Sequence, residues 1–359
     1  MQKHSTDSLR SIATEIFAAC GTPREEAAIV AEQLVASNLM GLDSHGVLRI
    51  PQYVGWIQDG VIQPGAKITL VKESGGTAQV DCGLNFGQVG GQRAMEIAIA
   101  KAREYKIACV LVTNCCHVGR LGYFTQMAAE DGMFAMAFVN SSKYGHSVVP
   151  YGGVEGRIAP NPISYACPGP EHPLVSDMAL STTAHGKVVI YRNRGERLPE
   201  GWIVDASGKP STDPNVLFDT PHGWILPAGG NVGYKGFAML VLAEILAGTL
   251  TGKAITDEIP DGTNGACFVV IDISAFAPVE GFRDAIGIMT AYMKSAPPAP
   301  GFEEVLMPGE LDFRIMRERR DKGIPIDAVT WQRIEATAKA LQVPLAVMAQ
   351  SSSASATAT

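Results

Sequence analysis

Two apolar runs separated by a helix-length segment constrain this chain more than any other feature. Ile107–Thr113 and Met133–Asn140 are nearly continuous in apolar residues, as buried strands are. Gly122–Asp131, between them, has the spacing of a helix. Strand, helix and strand in that order predict a right-handed crossover with parallel pairing, and so an α/β fold. Such sheets hold their ligands beyond the carboxyl ends of the strands. Asn114-Cys115-Cys116-His117-Val118-Gly119-Arg120 lies just past the first strand, and Asn140-Ser141-Ser142 past the second.

The flanking segments read as helices, hairpins and loops. Leu9, Ile12, Ala13, Ile16 and Phe17 recur at helical spacing up to Gly21. Thr22, Pro23 and Glu25 read as a capping box opening a second helix that ends near Met40. A third helix is expected over Ile50 to Asp59, which leaves His45 on a turn between helices. Lys67–Lys72 and Thr77–Asp81 alternate like a hairpin, and Gln88 to Tyr105 is helical. Residues 145–173 and 198–230 are rich in loop-forming residues. Leu174–Met178 is a short strand followed by a helix over Ala179–Val188. Lys235–Ala247, Phe282–Lys294 and Asp327–Leu341 are helices, and Cys267–Ile273 is a buried strand. The Ser/Ala/Thr-rich residues 350–359 read as a disordered tail.

With 359 residues, 46% of them hydrophobic and 18% charged, the chain can bury more than one small core, so two lobes are expected. The net charge of −7 and the lack of a basic run argue against nucleic acid and anionic membrane as partners. Met1 to Arg10 is polar, and no apolar stretch reaches the roughly 20 residues of a membrane span. Seven cysteines, an odd number without CxxC spacing, fit a reduced cytoplasm.

The chemistry concentrates in Asp43-Ser44-His45-Gly46, with Arg49 three residues on. A hydroxyl, an imidazole and a guanidinium fall within about one helical turn. Arginine forks onto a carboxylate, histidine moves a proton near neutral pH, and serine can orient either. With the His117 turn, this pattern points to an enzyme acting on a small carboxylated molecule. The same residues also read as capping turns. No GxGxxG opens a helix after a strand, no P-loop is present, and neither HExxH nor HxH occurs. A dinucleotide would have to be held otherwise. Candidates are the glycine-rich entry Gly229 to Gly236, carrying Lys235, and the carboxylate and hydroxyls of Val175 to Thr183.

Together these segments resemble the type-2 malate/L-lactate dehydrogenase family, NAD(P)-dependent oxidoreductases without a Rossmann fold. The resemblance runs in order from about Ser8 to Val343. It includes Gly41 to Arg49 with Tyr53, Phe86 to Gly91, Asn114 to Tyr123, Asn161-Pro162, Asp177-Met178-Ala179 with Ser181, Gly233 to Gly236, and Pro308-Gly309-Glu310. His117-Val-Gly-Arg-Leu-Gly-Tyr123 is most similar to the hydroxycarboxylate dehydrogenase branch.

The resemblance implies a three-layer α/β fold in two lobes with helical terminal segments. Residues 1–115 with 297–349 would form a substrate and dimerisation lobe, and 116–296 a cofactor lobe. It implies hydride transfer between NAD or NADP and C2 of a 2-hydroxy or 2-oxo acid, in a cytoplasmic homodimer. His45 and His117 are the candidate acid/base groups, with Ser44 beside them. Arg49 would clamp the substrate carboxylate, and Asn161 would touch the substrate. Ser141, Asp177, Met178, Ala179, Ser181, Lys235, Pro308, Gly309 and Glu310 match cofactor contacts. No metal is implied. Departures at Ala159-Pro160, Leu180 and Asn231-Val232 leave the substrate and the NAD-versus-NADP choice open. A neutral base serves oxidation and a charged acid serves reduction, so the pH optima should diverge, alkaline for oxidation and nearer neutral for reduction. Two alternatives remain: a cyclic imino-acid reductase on the same fold, and a metal-dependent hydrolase or lyase using His45, His117 and Asp177.

Overall fold

The apolar strands meet in one sheet. In the computed structural model, which describes residues 2–257 and 260–345, seven strands form it. They are β1 (Thr69–Ser74), β2 (Thr77–Asp81), β3 (Ile107–Cys116), β4 (Met133–Val139), β5 (Ile163–Cys167), β6 (Leu174–Met178) and β7 (Thr263–Asp272). Their spatial order is β1-β2-β3-β7-β4-β5-β6. The helices are α1 (Thr6–Ala19), α2 (Arg24–Leu39), α3 (Ile50–Gln58), α4 (Gly87–Tyr105), α5 (Gly122–Glu130), α6 (His185–Arg194), α7 (Gly233–Ala247), α8 (Val279–Lys294), α9 (Glu310–Lys322) and α10 (Ala328–Ala340).

The expected parallel pairing of the two apolar runs does not form. β7 lies between β3 and β4, antiparallel to both, so Val269 faces Cys109 on one side and Met136 on the other. The parallel pair arises one crossover earlier, between β2 and β3 across α4. The reason is physical. An apolar strand with two open edges takes the partner that best fills them, and β7 carries Ala266-Cys267-Phe268-Val269-Val270-Ile271.

Side chains alternate across the pleat, so β7 feeds two cores. Ala266, Phe268 and Val270 pack with Met95 of α4 and Phe124 of α5 on one face. Cys267 packs with Leu240, Ala243 and Ala247 of α7 on the other. The result is three layers, helix, sheet and helix, in the expected non-Rossmann α/β class. A further core joins α1, α2 and α3 to α10 and to Phe86 and Val89 at the start of α4. The terminal segments also pair directly, Gln2–His4 against Ile324–Ile326. The 115/116 boundary expected between lobes falls inside β3, and the sheet takes strands from both sides of it. The expected tail, 350–359, lies outside the described residues.

Three local expectations are corrected. The expected helix over Ala179–Val188 begins only at His185. Before it the chain runs extended, because Leu180 and Thr182 give their N–H groups sideways to Pro160 and Leu226. Thr22 makes no capping box; α2 starts after Pro23 without a side-chain cap. Third, Gly233–Thr251 is long and apolar enough to cross a bilayer. Yet Leu240, Ala243 and Ala247 pack on the sheet, and Glu244 is hydrogen-bonded inside. All seven cysteines are free thiols, five of them buried.

Gly87 shows how tightly the layers meet. A methyl group there would sit 2.3 Å from the carbonyl oxygens of both Cys116 and His117. Backbone cannot yield as a flexible side chain can. Gly87→Ala is expected to lower the unfolding free energy by about 2–4 kcal/mol in urea titration. A loss below about 0.5 kcal/mol would show that this contact does not set the position of the His117 turn.

Candidate active site

The Ser44-His45 turn is held from three sides. At the end of α2, Asn38 Nδ2 donates to Asp43 Oδ1 (2.6 Å) and Asn38 Oδ1 accepts from the Val47 N–H (2.8 Å). Arg319 of α9 donates to the Asn38 carbonyl (2.5 Å) and to both Asp43 oxygens (2.6 and 3.0 Å). Gly46 is required here, because a methyl group would lie 2.2 Å from Asn38 Oδ1. Two short 3₁₀ turns result, Asp43–His45 and Val47–Arg49. Ser44 Oγ lies 3.0 Å from His45 Nδ1.

His117 follows β3 and stacks on His45, with ring centroids 5.6 Å apart and planes 18° apart. Tyr53 of α3 places its hydroxyl 2.7 Å from His117 Nδ1, and Gln88 Nε2 donates to that hydroxyl at 3.0 Å. With Gln88 donating, the tyrosine proton points at Nδ1, so neutral His117 carries its own proton on Nε2. Burial lowers the pKa of His45 to about 4, aided by the positive charges of Arg49 and Arg120. Burial likewise holds His117 well below its usual range, with Arg49 and His45 adding to the effect. Burial lifts Tyr53 to about 12. Two neutral imidazoles therefore face one space at neutral pH.

That space is a cavity of about 350 Å³ between the carboxyl ends of β3 and β4. It gathers Ser44, His45, His117, Ser141, Asn161, Asp177 and Ala179 from the predicted set. Asn161 is fully buried at φ +31°. Its Nδ2 donates to Glu244 Oε2 (2.9 Å) and to the Leu240 carbonyl (3.2 Å), which leaves Oδ1 without a partner. Glu244 also receives Asn140 Nδ2 at 3.0 Å. Asp177 caps α5, accepting the Gly122 N–H at 2.6 Å; burial still raises its pKa.

Other predicted residues lie elsewhere. Arg49 sits behind the histidines, donating to the Ser44 carbonyl and to Gln52 Oε1, both at 2.7 Å. Met178 and Lys235 are exposed, and Ser181 lines a separate open cleft beside Gly229 and Gly230. Pro308 and Glu310 line a second cavity of about 400 Å³ with Leu174 and His172, while Gly309 packs on the Val175 backbone. β6 links the two cavities, with Leu174 at one and Asp177 at the other, about 10 Å apart along the strand. Two cavities bridged at that span, one holding an orphaned buried acceptor, suit the two halves of a dinucleotide. Among the described residues no three His, Cys, Asp or Glu side chains converge as metal ligands, so His45, His117 and Asp177 do not form the ligand set of the metal alternative.

Sequence reasoning missed Arg120, Gln88 and Glu244. Arg120 stood in the His117 motif as a charge in an apolar run. Gln88 and Glu244 carried no local signal, since each acts on a residue far away in the chain.

The chain matches the malate/L-lactate dehydrogenase family over residues 4–335. It is 36% identical to malate dehydrogenase of Pyrococcus horikoshii over 347 residues, covering 94% of this chain and 95% of that protein. It is 33% identical to hydroxycarboxylate dehydrogenase B of Escherichia coli, covering 95% of each. A solved structure described as a putative malate/lactate dehydrogenase from E. coli superposes with a TM-score of 0.90 at 31% identity, covering 98% of this chain and 99% of that one.

The depressed histidines make stability depend on pH. Between the free value of 6.5 and about 4, the unfolded chain binds the His45 proton and the folded chain does not. Stability is thus full above pH 6.5 and falls as the pH drops towards 4. From pH 7 to pH 5, the wild type should lose about 2 kcal/mol more unfolding free energy than His45→Gln. Equal losses would mean that the folded chain does not hold His45 neutral.

Proposed function

The chain belongs to the malate/L-lactate dehydrogenase family and is a hydroxyacid dehydrogenase, and from that premise we propose that it interconverts a small 2-hydroxy acid and its 2-oxo acid with NAD or NADP. The observation that carries this reading is the stacked His45–His117 pair at a cavity with one unsatisfied acceptor. When bound, the nicotinamide supplies or accepts the hydride at C2. The protein's task is the proton and the position.

His45 and His117 each have Nδ1 engaged, by Ser44 and by Tyr53. With Nδ1–H donating to Ser44 Oγ, His45 offers a bare Nε2, while His117 offers its Nε2–H as a hydrogen-bond donor to the substrate oxygen. In oxidation the neutral His45 Nε2 takes the hydroxyl proton; in reduction its imidazolium returns it. Arg49, whose charge acts on both rings, receives the carboxylate by exchanging Gln52 for it. Asn161 Oδ1 accepts a hydrogen bond from the substrate. Ser141, Asp177 and Ala179 serve the nicotinamide half of the dinucleotide, with Met178, Ser181 and Lys235, outside that cavity, towards its phosphates. Pro308, Gly309 and Glu310 serve the far half.

In this reading residues 1–115 with 297–349 form the substrate and dimerisation lobe and bring Ser44, His45 and Arg49, and 116–296 form the cofactor lobe and bring His117; Pro308, Gly309 and Glu310 reach the cofactor from the first lobe. The working unit is a cytoplasmic homodimer. The apolar outer face of α7, with Met239, Val241, Leu242 and Ile245 exposed, supports a second copy packed there.

Thermal unfolding with NADH or NADPH tests the cofactor without guessing a substrate. At about 100 times Kd one nucleotide should add roughly 2.7 kcal/mol. Oxo acids and cyclic imines, screened by nucleotide absorbance, then test the reaction. No stabilisation by either nucleotide would overturn the reading, and preferred turnover of a ring imine would turn it into imino-acid reduction.

The pH profile tests the base. With His45 at about 4, the base is neutral well below pH 7, so in place of an alkaline optimum kcat/KM for oxidation should stay level from neutral pH down to about pH 5 and fall below it. For reduction, kcat/KM should instead rise as the pH falls. Superimposable profiles would remove the histidines from proton transfer.

A further inference from the structure

Among the described residues, Arg120 is a buried cation with no ion-pair partner. It is 5% exposed, on the turn between β3 and α5, and lines the histidine cavity. Burying a charge is costly unless it is paired. Among the described residues no carboxylate reaches Arg120 within ion-pair distance. Its Nη1 meets only Gln126 Oε1, at 3.4 Å, and its Nε has no partner. Asp177, Asp312 and Glu130 face it at longer range, and Asp177 already accepts the Gly122 N–H.

Arg120 also stands close to the reacting groups. Its charge is felt at His45, as is that of Arg49, whereas of these two guanidiniums Arg49 is the one felt at His117, beside the His45 ring. Two guanidiniums therefore approach the imidazole pair from different sides. Arg49 lies behind the rings, and Arg120 in the cavity wall. One carboxylate satisfies one of them.

We propose that Arg120 binds a second anionic group on the substrate, beyond the carboxylate assigned to Arg49, and so selects dianionic 2-hydroxy and 2-oxo acids. This rests on the dehydrogenase reading above. The distal group, a carboxylate or an anion of similar shape, ends in the fork of Arg120 and supplies the charge that the fold leaves out.

The test uses Arg120→Met, which keeps the stem and removes the charge, and Arg120→Lys, which keeps the charge and loses the fork. In the wild type, kcat/KM for oxaloacetate should exceed that for pyruvate. Arg120→Met should lower it about ten- to hundredfold for oxaloacetate and less than about threefold for pyruvate. Arg120→Lys should recover part of the loss, and nucleotide Kd should stay within about threefold in both variants. Calorimetric titration with succinate and with butyrate gives the same comparison without turnover. The wild type should bind the dianion more tightly, and Arg120→Met should erase the difference. Equal losses for both oxo acids, unchanged succinate binding, or a loss confined to nucleotide affinity would each overturn the proposal. Were no nucleotide bound at all, the dehydrogenase reading would fail, and the succinate–butyrate comparison would still decide the role of Arg120.

Discussion

The insertion of β7 between β3 and β4 is the constraint on which the rest depends. It completes the sheet, supplies apolar side chains to both faces, and holds apart the two strand ends that carry the site. Its first residues do the holding. Asn264 Nδ2 donates to the Asn140 carbonyl (2.7 Å), Asn264 Oδ1 accepts the Val118 N–H (3.1 Å), and Asn140 Oδ1 accepts the Gly265 N–H (2.8 Å). One strand thus ties the His117 turn to the Ser141 segment while keeping a strand's width between them. The cavity occupies that width.

Electrostatics then set the state of the site. Two imidazoles lie within stacking distance among two guanidiniums, and among the described residues no carboxylate touches either ring. Such an arrangement favours neutral histidines until an anion arrives, because each nearby positive charge opposes protonation. A carboxylate bound there would reverse that sign and ready the imidazole to hold a proton. Charge state and occupancy are in this way linked by Coulomb's law alone, without a moving part.

The hydrogen-bond network around the cavity carries direction as well as strength. Glu244 accepts from both Asn140 and Asn161, which decides which end of each amide faces the cavity. Gln88 does the same for Tyr53, and through it for the tautomer of His117. Arg319 anchors the opposite wall by binding Asp43 and the end of α2. These residues touch no reacting atom, yet they determine which lone pairs and protons a ligand meets.

The sequence by itself determined the local elements and the chemistry. Periodicity marked most helices and the strands at 107, 133 and 174, and the clusters around His45 and His117 were visible because their residues are neighbours in the chain. The family was legible for the same reason, since its motifs are short and ordered. Tertiary structure alone decided the rest. Nothing local in Met133–Val139 says that a strand from residue 263 will displace its expected partner, because edge pairing is a competition over the whole chain. Nor does any short motif announce that Glu244 orients Asn161, or that Arg120 is buried with no ion-pair partner among the described residues. Burial and partnership are properties of the packed molecule, and only packing turned a charged residue in an apolar run into a candidate for specificity.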